Sequence, residues 1–234
     1  MGVKKVVLPM LIYLAAAGAF LSIAYWGSVA TSVIADRIPL EREHTIVLDP
    51  GHGGEDGGAT SCAGITESRY NLEISLRLRD LMHLMGYQTR MIRTTDRAVH
   101  TGGDTIAARK NSDLRERARI VNETEDAILI SIHQNTFPES KYSGAQIFYA
   151  PKGEGQALAE ALQTAFCDTI NRGSSRKCKK ADGIYLMRHI NCTGVLVECG
   201  FLSNPQEEQK LRSEDYQKKI CCVIASTVGQ FLTK

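Results

Sequence analysis

The chain has 234 residues, 43% hydrophobic and 23% charged, with a formal net charge of +2 at neutral pH. That length holds one large domain plus a leader, and the near-neutral balance excludes the strong basic bias of a nucleic-acid binder. No internal repeat or long low-complexity tract is present, which sets aside a solenoid.

The first segment differs from the rest. Lys4 and Lys5 precede a stretch from Val6 to Ala35 without a charged residue. Its core, Val6 to Trp26, is long enough to span a bilayer, and the flanking lysines favour an N-in, C-out orientation. Two readings compete: an uncleaved signal anchor, and a signal peptide cleaved at the small-x-small site Ser28-Val29-Ala30. The apolar run is longer than that of a usual cleaved signal, which favours the anchor. Both readings divide the chain into a leader (1–35), a short polar linker (36–44) and a domain (45–234) outside the cytoplasmic membrane, anchored to it or secreted.

Strand and helix signals then alternate. Thr45–Leu48 reads as a strand, Glu67–Met85 as a helix stopped by Gly86, and Gln88–Ile92 as a strand. Ala98–Asn111 has no clear period and reads as an exposed loop suited to lining a substrate groove. Leu114–Glu123 reads as a helix, Ala127–His133 and Gly144–Tyr149 as strands, and Gln156–Asn171 as a helix. Gly194–Glu198 is a buried strand and Tyr216–Leu232 the last helix. This alternation predicts an α/β sheet with helices packed on its faces. Of the seven cysteines, none forms a CxxC pair, so a thiolate zinc site has no support. Cys167 and Cys178 are the one pair weighed as a disulfide on compartment grounds. Cys221 and Cys222 fall in a helical pattern as core or boundary residues.

Open α/β sheets build their sites at the carboxyl ends of strands, and three strand ends here carry unusual residues. The first strand runs into Asp49-Pro50-Gly51-His52-Gly53-Gly54, whose glycines permit a sharp turn that projects His52. The strand Ala127–Ile132 delivers His133. The strand Gly194–Val197 ends in Glu198, a carboxylate that is costly there unless paired or near a metal. Glu67 opens the stripe of Ile74, Leu78, Met82 and Met85, so it lies on the core side of its helix. Two imidazoles and one carboxylate match a catalytic zinc site that keeps a fourth position open. Glu198 suits proton transfer. Each residue also has a plainer role: a hydrogen-bonded histidine, a carboxylate at a helix N-terminus, or a Glu198–Arg188 ion pair. His44, His83, His100, His189 and Glu73 stay outside the set.

These residues stand in segments that resemble a known family. Ile46–Ala59 (IVLDPGHGGEDGGA), the Glu67 helix start, Ser131–Asn135 (SIHQN) and Val195–Glu207 (VLVECGFLSNPQE) are similar to motifs of the zinc-dependent N-acetylmuramoyl-L-alanine amidases of the amidase type 3 class. The resemblance runs from about Thr45 to the end. It implies a twisted, mainly parallel sheet with helices on both faces, Zn2+ on His52, Glu67 and His133, and Glu198 as general base and acid. Asn135 and Arg188 are candidate substrate contacts. The implied substrate is peptidoglycan, with no nucleic acid, the membrane met through the leader, and any partner protein unidentified. The short chain and the run from Ser131 to Ala150 look like the sporulation and germination branch (the CwlD type), which implies spore-cortex modification through muramic-δ-lactam. Gln134 departs from the small residue of many relatives and is expected to narrow the groove. Cys199 replaces the usual Thr or Ser and is expected to point away from Glu198 as a packing residue.

Overall fold

The computed structural model describes residues 18–25 and 43–233, and the chain divides after Glu41. Residues 18–25 form helix α1. The rest of the leader, including most of the expected span and the cleavage motif, lies outside the described residues. Among the described residues no helix is long and apolar enough to cross a membrane.

Beyond residue 42 the elements are β1 (Thr45–Pro50), α2 (Glu67–Leu84), β2 (Gln88–Met91), α3 (Ile106–Asn122), β3 (Ala127–Asn135), β4 (Gln146–Tyr149), α4 (Gly155–Asp168), β5 (Lys179–Lys180), α5 (Tyr185–His189), β6 (Thr193–Phe201), α6 (Pro205–Leu211) and α7 (Glu214–Phe231). They form one six-stranded sheet in the order β2-β1-β3-β6-β4-β5. Every neighbouring pair is parallel except β4–β6. The α/β, mainly parallel expectation holds.

The alternation of side chains along each strand sorts the core into two layers. Ile46, Leu48, Ile128, Ile130, Ile132, Val195 and Val197 face a cluster completed by α2, α4 and α7. Val47, Leu129 and Leu196 face a second cluster with Ala118 and Val121 of α3 and Leu186 and Met187 of α5. Helices therefore cover both faces. The predicted α2 stripe is buried as expected: Ile74, Leu78 and Met82 are fully enclosed, each worth about 1.5–3 kcal/mol of burial.

Two expectations need correction, and the Cys167–Cys178 bridge does not form. The irregular stretch Ala98–Asn111 is a loop only to Thr105, whose side chain accepts a hydrogen bond from Ala108 N at 3.1 Å and starts α3. This first turn is exposed, so it carries no apolar period, and the helix begins well before Leu114. Cys167 and Cys178 are both free thiols. Gln134 is buried and bonds Asn71 through Nε2 at 3.2 Å; strand alternation turns it away from His133, so it does not narrow a groove.

Candidate active site

The carboxyl ends of β1, β3 and β6 form a continuous crest. His133 stands in register with Glu198 on β6, and Gly51 follows Pro50, the partner of Ile132. A Cβ on Gly51 would lie 2.1 Å from His133 Nε2, so only glycine lets the imidazole lie across the β1 turn. His52 occupies the left-handed region at φ 61, a conformation uncommon for a side-chain-bearing residue and concentrated at functional sites.

Two buried arginines fix this turn. Arg93 donates from Nε to Pro50 O (2.9 Å) and from Nη2 to Gly51 O (3.0 Å) and Ser68 O (2.8 Å). Arg117 donates from Nη2 to His52 O (2.7 Å) and from Nη1 to Pro50 O (3.0 Å), and pairs with Asp49 and Asp113. Burial works against the Asp49 charge, but Arg117 and the Ser131 hydroxyl outweigh it and hold its pKa below the ordinary value. Arg117→Met would leave buried Asp49 without its cation. Loss of one partner of a buried pair costs about 3–5 kcal/mol, so a correspondingly lower melting temperature is expected for this variant, and an unchanged one would remove the pair from the account of the fold.

Glu67 enters from the first turn of α2. Its carboxylate accepts from Ala59 N (3.1 Å), Gln134 N (3.2 Å) and Asn71 Nδ2 (3.2 Å). It meets His133 Nδ1 at 2.9 Å and His52 Nε2 at 3.3 Å. Burial alone would raise its pKa; the two imidazoles reverse that and hold it far below the usual carboxylate range. His52 turns its other nitrogen, Nδ1, to Asp56 Oδ2 at 3.0 Å. A carboxylate on the second nitrogen fixes the orientation of a metal-binding histidine. Burial opposes charge on His52, but Glu67 and Asp56 prevail and raise its pKa. The ligand atoms of His52, Glu67 and His133 lie within 4.8 Å of one another, as a single metal ion requires.

Glu198 stands beside this group with Oε2 buried and without a hydrogen-bond partner. Burial pushes its pKa up to about 7, with His133 pulling it down and Glu67 adding to the rise. No ion pair joins it to Arg188, which is exposed on α5. The carbonyl of the next residue, His189, accepts from Asn122 at the end of α3, so Arg188 lies towards the opposite end of the strands, where β3 and β6 begin. Asn135 ends β3 opposite Phe201, near the crest. Cys199 is buried in the core layer behind Glu198. His189 stacks on Tyr185, and His83 bonds Thr89, both away from the cluster. Sequence reasoning missed Asp56, Arg93 and Arg117. Asp56 is within the quoted HGGED run, but only its distance to His52 gives it a role.

The N-acetylmuramoyl-L-alanine amidase family matches residues 46–230. The germination-specific N-acetylmuramoyl-L-alanine amidase of Bacillus subtilis (strain 168) is 38% identical over 191 residues, covering 81% of this chain and 80% of that protein. The CwlD amidase of Clostridioides difficile, solved in complex with the GerS lipoprotein, superposes with a TM-score of 0.78 at 34% identity, over 81% of this chain and 98% of that one. A second amidase, from Clostridium difficile 630, gives a TM-score of 0.72 at 27% identity, over 83% and 99%. The chain therefore belongs to the N-acetylmuramoyl-L-alanine amidases and is an enzyme of that family similar to its germination-specific members.

Proposed function

We propose that this amidase is zinc-dependent, with the metal held by His52, Glu67 and His133 and proton transfer carried by Glu198. The observation that carries this reading is the convergence of three ligand atoms within 4.8 Å beside the unpartnered Glu198 Oε2. Two nitrogens and one carboxylate oxygen suit zinc, and three ligands leave a position open. Zinc, when bound, supplies Lewis acidity to a carbonyl and to water. Glu198 accepts a proton from the attacking water and delivers it to the amide nitrogen as the C–N bond breaks. A pKa near neutrality fits a group that must do both. The products are a lactyl carboxylate on muramic acid and the free amine of L-alanine.

The proposal extends to setting. Likeness to germination-specific relatives supports a role in spore-cortex modification, with muramic-δ-lactam as the eventual product, outside the cytoplasmic membrane. The uncharged stretch Val6–Ala35 supports a leader that anchors the domain or is cleaved from it. The complex of the Clostridioides difficile relative with GerS supports a protein partner here as well.

One experiment addresses activity and domain limits together. A chain lacking residues 1–35 should be soluble and folded, because the sheet begins only at Thr45. Digestion of purified peptidoglycan with it should yield new L-alanine amines, detected by mass spectrometry, and no new reducing sugar ends. Cleavage confined to the stem peptide would show peptidase chemistry instead, and aggregation of the shortened chain would place the leader in the core.

A further inference from the structure

We propose that the groove on the β4 side of the crest binds the peptide that departs with L-alanine, and that Arg176 and Lys179 recognise a carboxylate of that peptide. The inference rests on the amidase reading above and adds to it the direction in which substrate lies.

The groove encloses about 380 Å³. It begins beside the reacting groups, at Asn135, which ends the strand carrying His133, and at Gln146, the cross-strand partner of Glu198. Aromatic rings form its walls. Phe137 meets Tyr142 edge to face at 4.8 Å, and Tyr142 stacks towards Phe201 at 6.3 Å. Phe137 remains 45% exposed, an apolar surface available to a ligand. Further along, Lys179 stands in register with Phe148.

Charge selects the occupant. Among the described residues no acidic side chain lines the groove. Arg176 lies over the Phe201 ring at 5.1 Å and donates to Ser143 O (3.2 Å) and Gln146 Oε1 (3.5 Å), all of them neutral. Neither Arg176 nor Lys179 forms an ion pair among the described residues. The opposite flank, on the β1 side, differs. Its Arg109 pairs with Glu55 at 2.9 Å, and Lys110 with Asp56 at 3.2 Å. One flank thus offers two cations outside any ion pair, Arg176 reaching the Glu207 carboxylate only through space, against apolar walls, where attraction for an anion is less screened than in open water. On the other flank these two cations are paired, and Arg97, exposed beside the Gly53–Gly54 turn, lies outside the groove.

The proton path gives the same direction independently. β6 lies between β3 and β4, so Glu198 is on the β4 side of His133. The group that protonates the departing nitrogen must stand on the departing side. The peptide then extends over β4, where its methyl groups meet the aromatic walls and its carboxylate meets the two cations. The uncharged muramoyl glycan extends over the β1 flank.

The test titrates the full-length protein with an alanine-first tripeptide bearing a free C-terminal carboxylate, and with the same tripeptide amidated at that end. The unmodified protein should bind the acid roughly fivefold to tenfold more tightly, the scale of one or two partly exposed charge pairs. Arg176→Gln with Lys179→Gln should bind both forms equally, at the level of the amide. Lys179→Gln alone, at an exposed position that makes no side-chain bond within the fold, should lose part of the preference and covers the case in which the double variant fails to fold. Equal binding of acid and amide by the unmodified protein overturns the proposal. So does a preference that survives both substitutions, or an equal loss for both peptides. Peptidoglycan digestion run in parallel separates the two levels: an acid preference without release of L-alanine amines would count against the amidase chemistry and leave the groove assignment standing.

Discussion

Glu67→Ala should lose bound zinc and hydrolysis together, with metal affinity falling by more than the roughly 10–100-fold typical of partners that only orient a ligand. The carboxylate touches both imidazoles, at 2.9 and 3.3 Å, so on the proposed ligand set its removal takes away one of three donors and the anion that both imidazoles face. It also accepts from the buried Gln134 N–H, and leaving that donor unsatisfied costs about 1–3 kcal/mol. The alanine variant therefore mixes metal loss with destabilisation. Glu67→Gln separates them. Its amide oxygen, in the place of Oε1, can still accept from Gln134 and Asn71, while the amide nitrogen, in the place of Oε2, gives up the bond from Ala59, and the anion is gone. The glutamine variant should bind zinc weakly and, having lost the charge that the two imidazoles favour, melt below the unmodified metal-free protein at neutral pH but above the alanine variant, with the deficit shrinking as pH falls below the ordinary carboxylate range. Chelation should abolish activity in the unmodified enzyme and added Zn2+ restore it. Full zinc occupancy in Glu67→Ala would show that the third ligand lies elsewhere.

The crest was legible because its residues break local rules. A histidine and a glutamate closing apolar strands, and a glutamate heading an apolar stripe, each contradict the burial expected at those positions, and such contradictions concentrate at sites. The long helices were legible for the opposite reason, since α2 and α7 bury continuous stripes with the 3.6-residue period. What escaped was short or non-local. α6 spans seven residues, too few for a period, and its start signals were Asn204, whose side chain accepts from Glu207 N, and Pro205 at the first turn. β5 has two residues and owes its place to pairing with β4. Arg93 and Arg117 read as ordinary surface cations, and only the folded chain brings them onto the carbonyls of the Pro50–His52 turn. Gln134 shows the limit of motif comparison: the position departs from the family pattern, but which side of the strand it occupies decides its effect.

Glu198→Gln should retain zinc and peptidoglycan binding and lose roughly 10²–10⁴-fold in turnover, the usual contribution of a general acid–base group. The substitution keeps size and shape and removes only the capacity to accept and return a proton. The rival account makes Glu198 the counter-charge of a buried cation, in which case the variant would lose about 3–5 kcal/mol of stability. Among the described residues no cation bonds Oε2; His133 and His52 act on Glu198 only through space, and burial, the largest influence, outweighs them and raises the pKa to about 7. The sign of the stability effect follows. In the metal-free protein the folded state holds the Glu198 proton more tightly than the unfolded state, whose value is the ordinary 4.5. Folding is therefore disfavoured by ionisation of this group as pH rises from about 4.5 to about 7, and the penalty is complete above that range. Glutamine carries no such penalty. Metal-free Glu198→Gln should melt at or above the unmodified protein at pH 8, with the difference vanishing below about pH 4.5, where Glu198 is protonated in both states. Melting curves across that range, with zinc content and turnover measured on the same preparation, decide between the accounts. A variant with unchanged melting at every pH, full zinc and near-normal turnover would remove Glu198 from the mechanism.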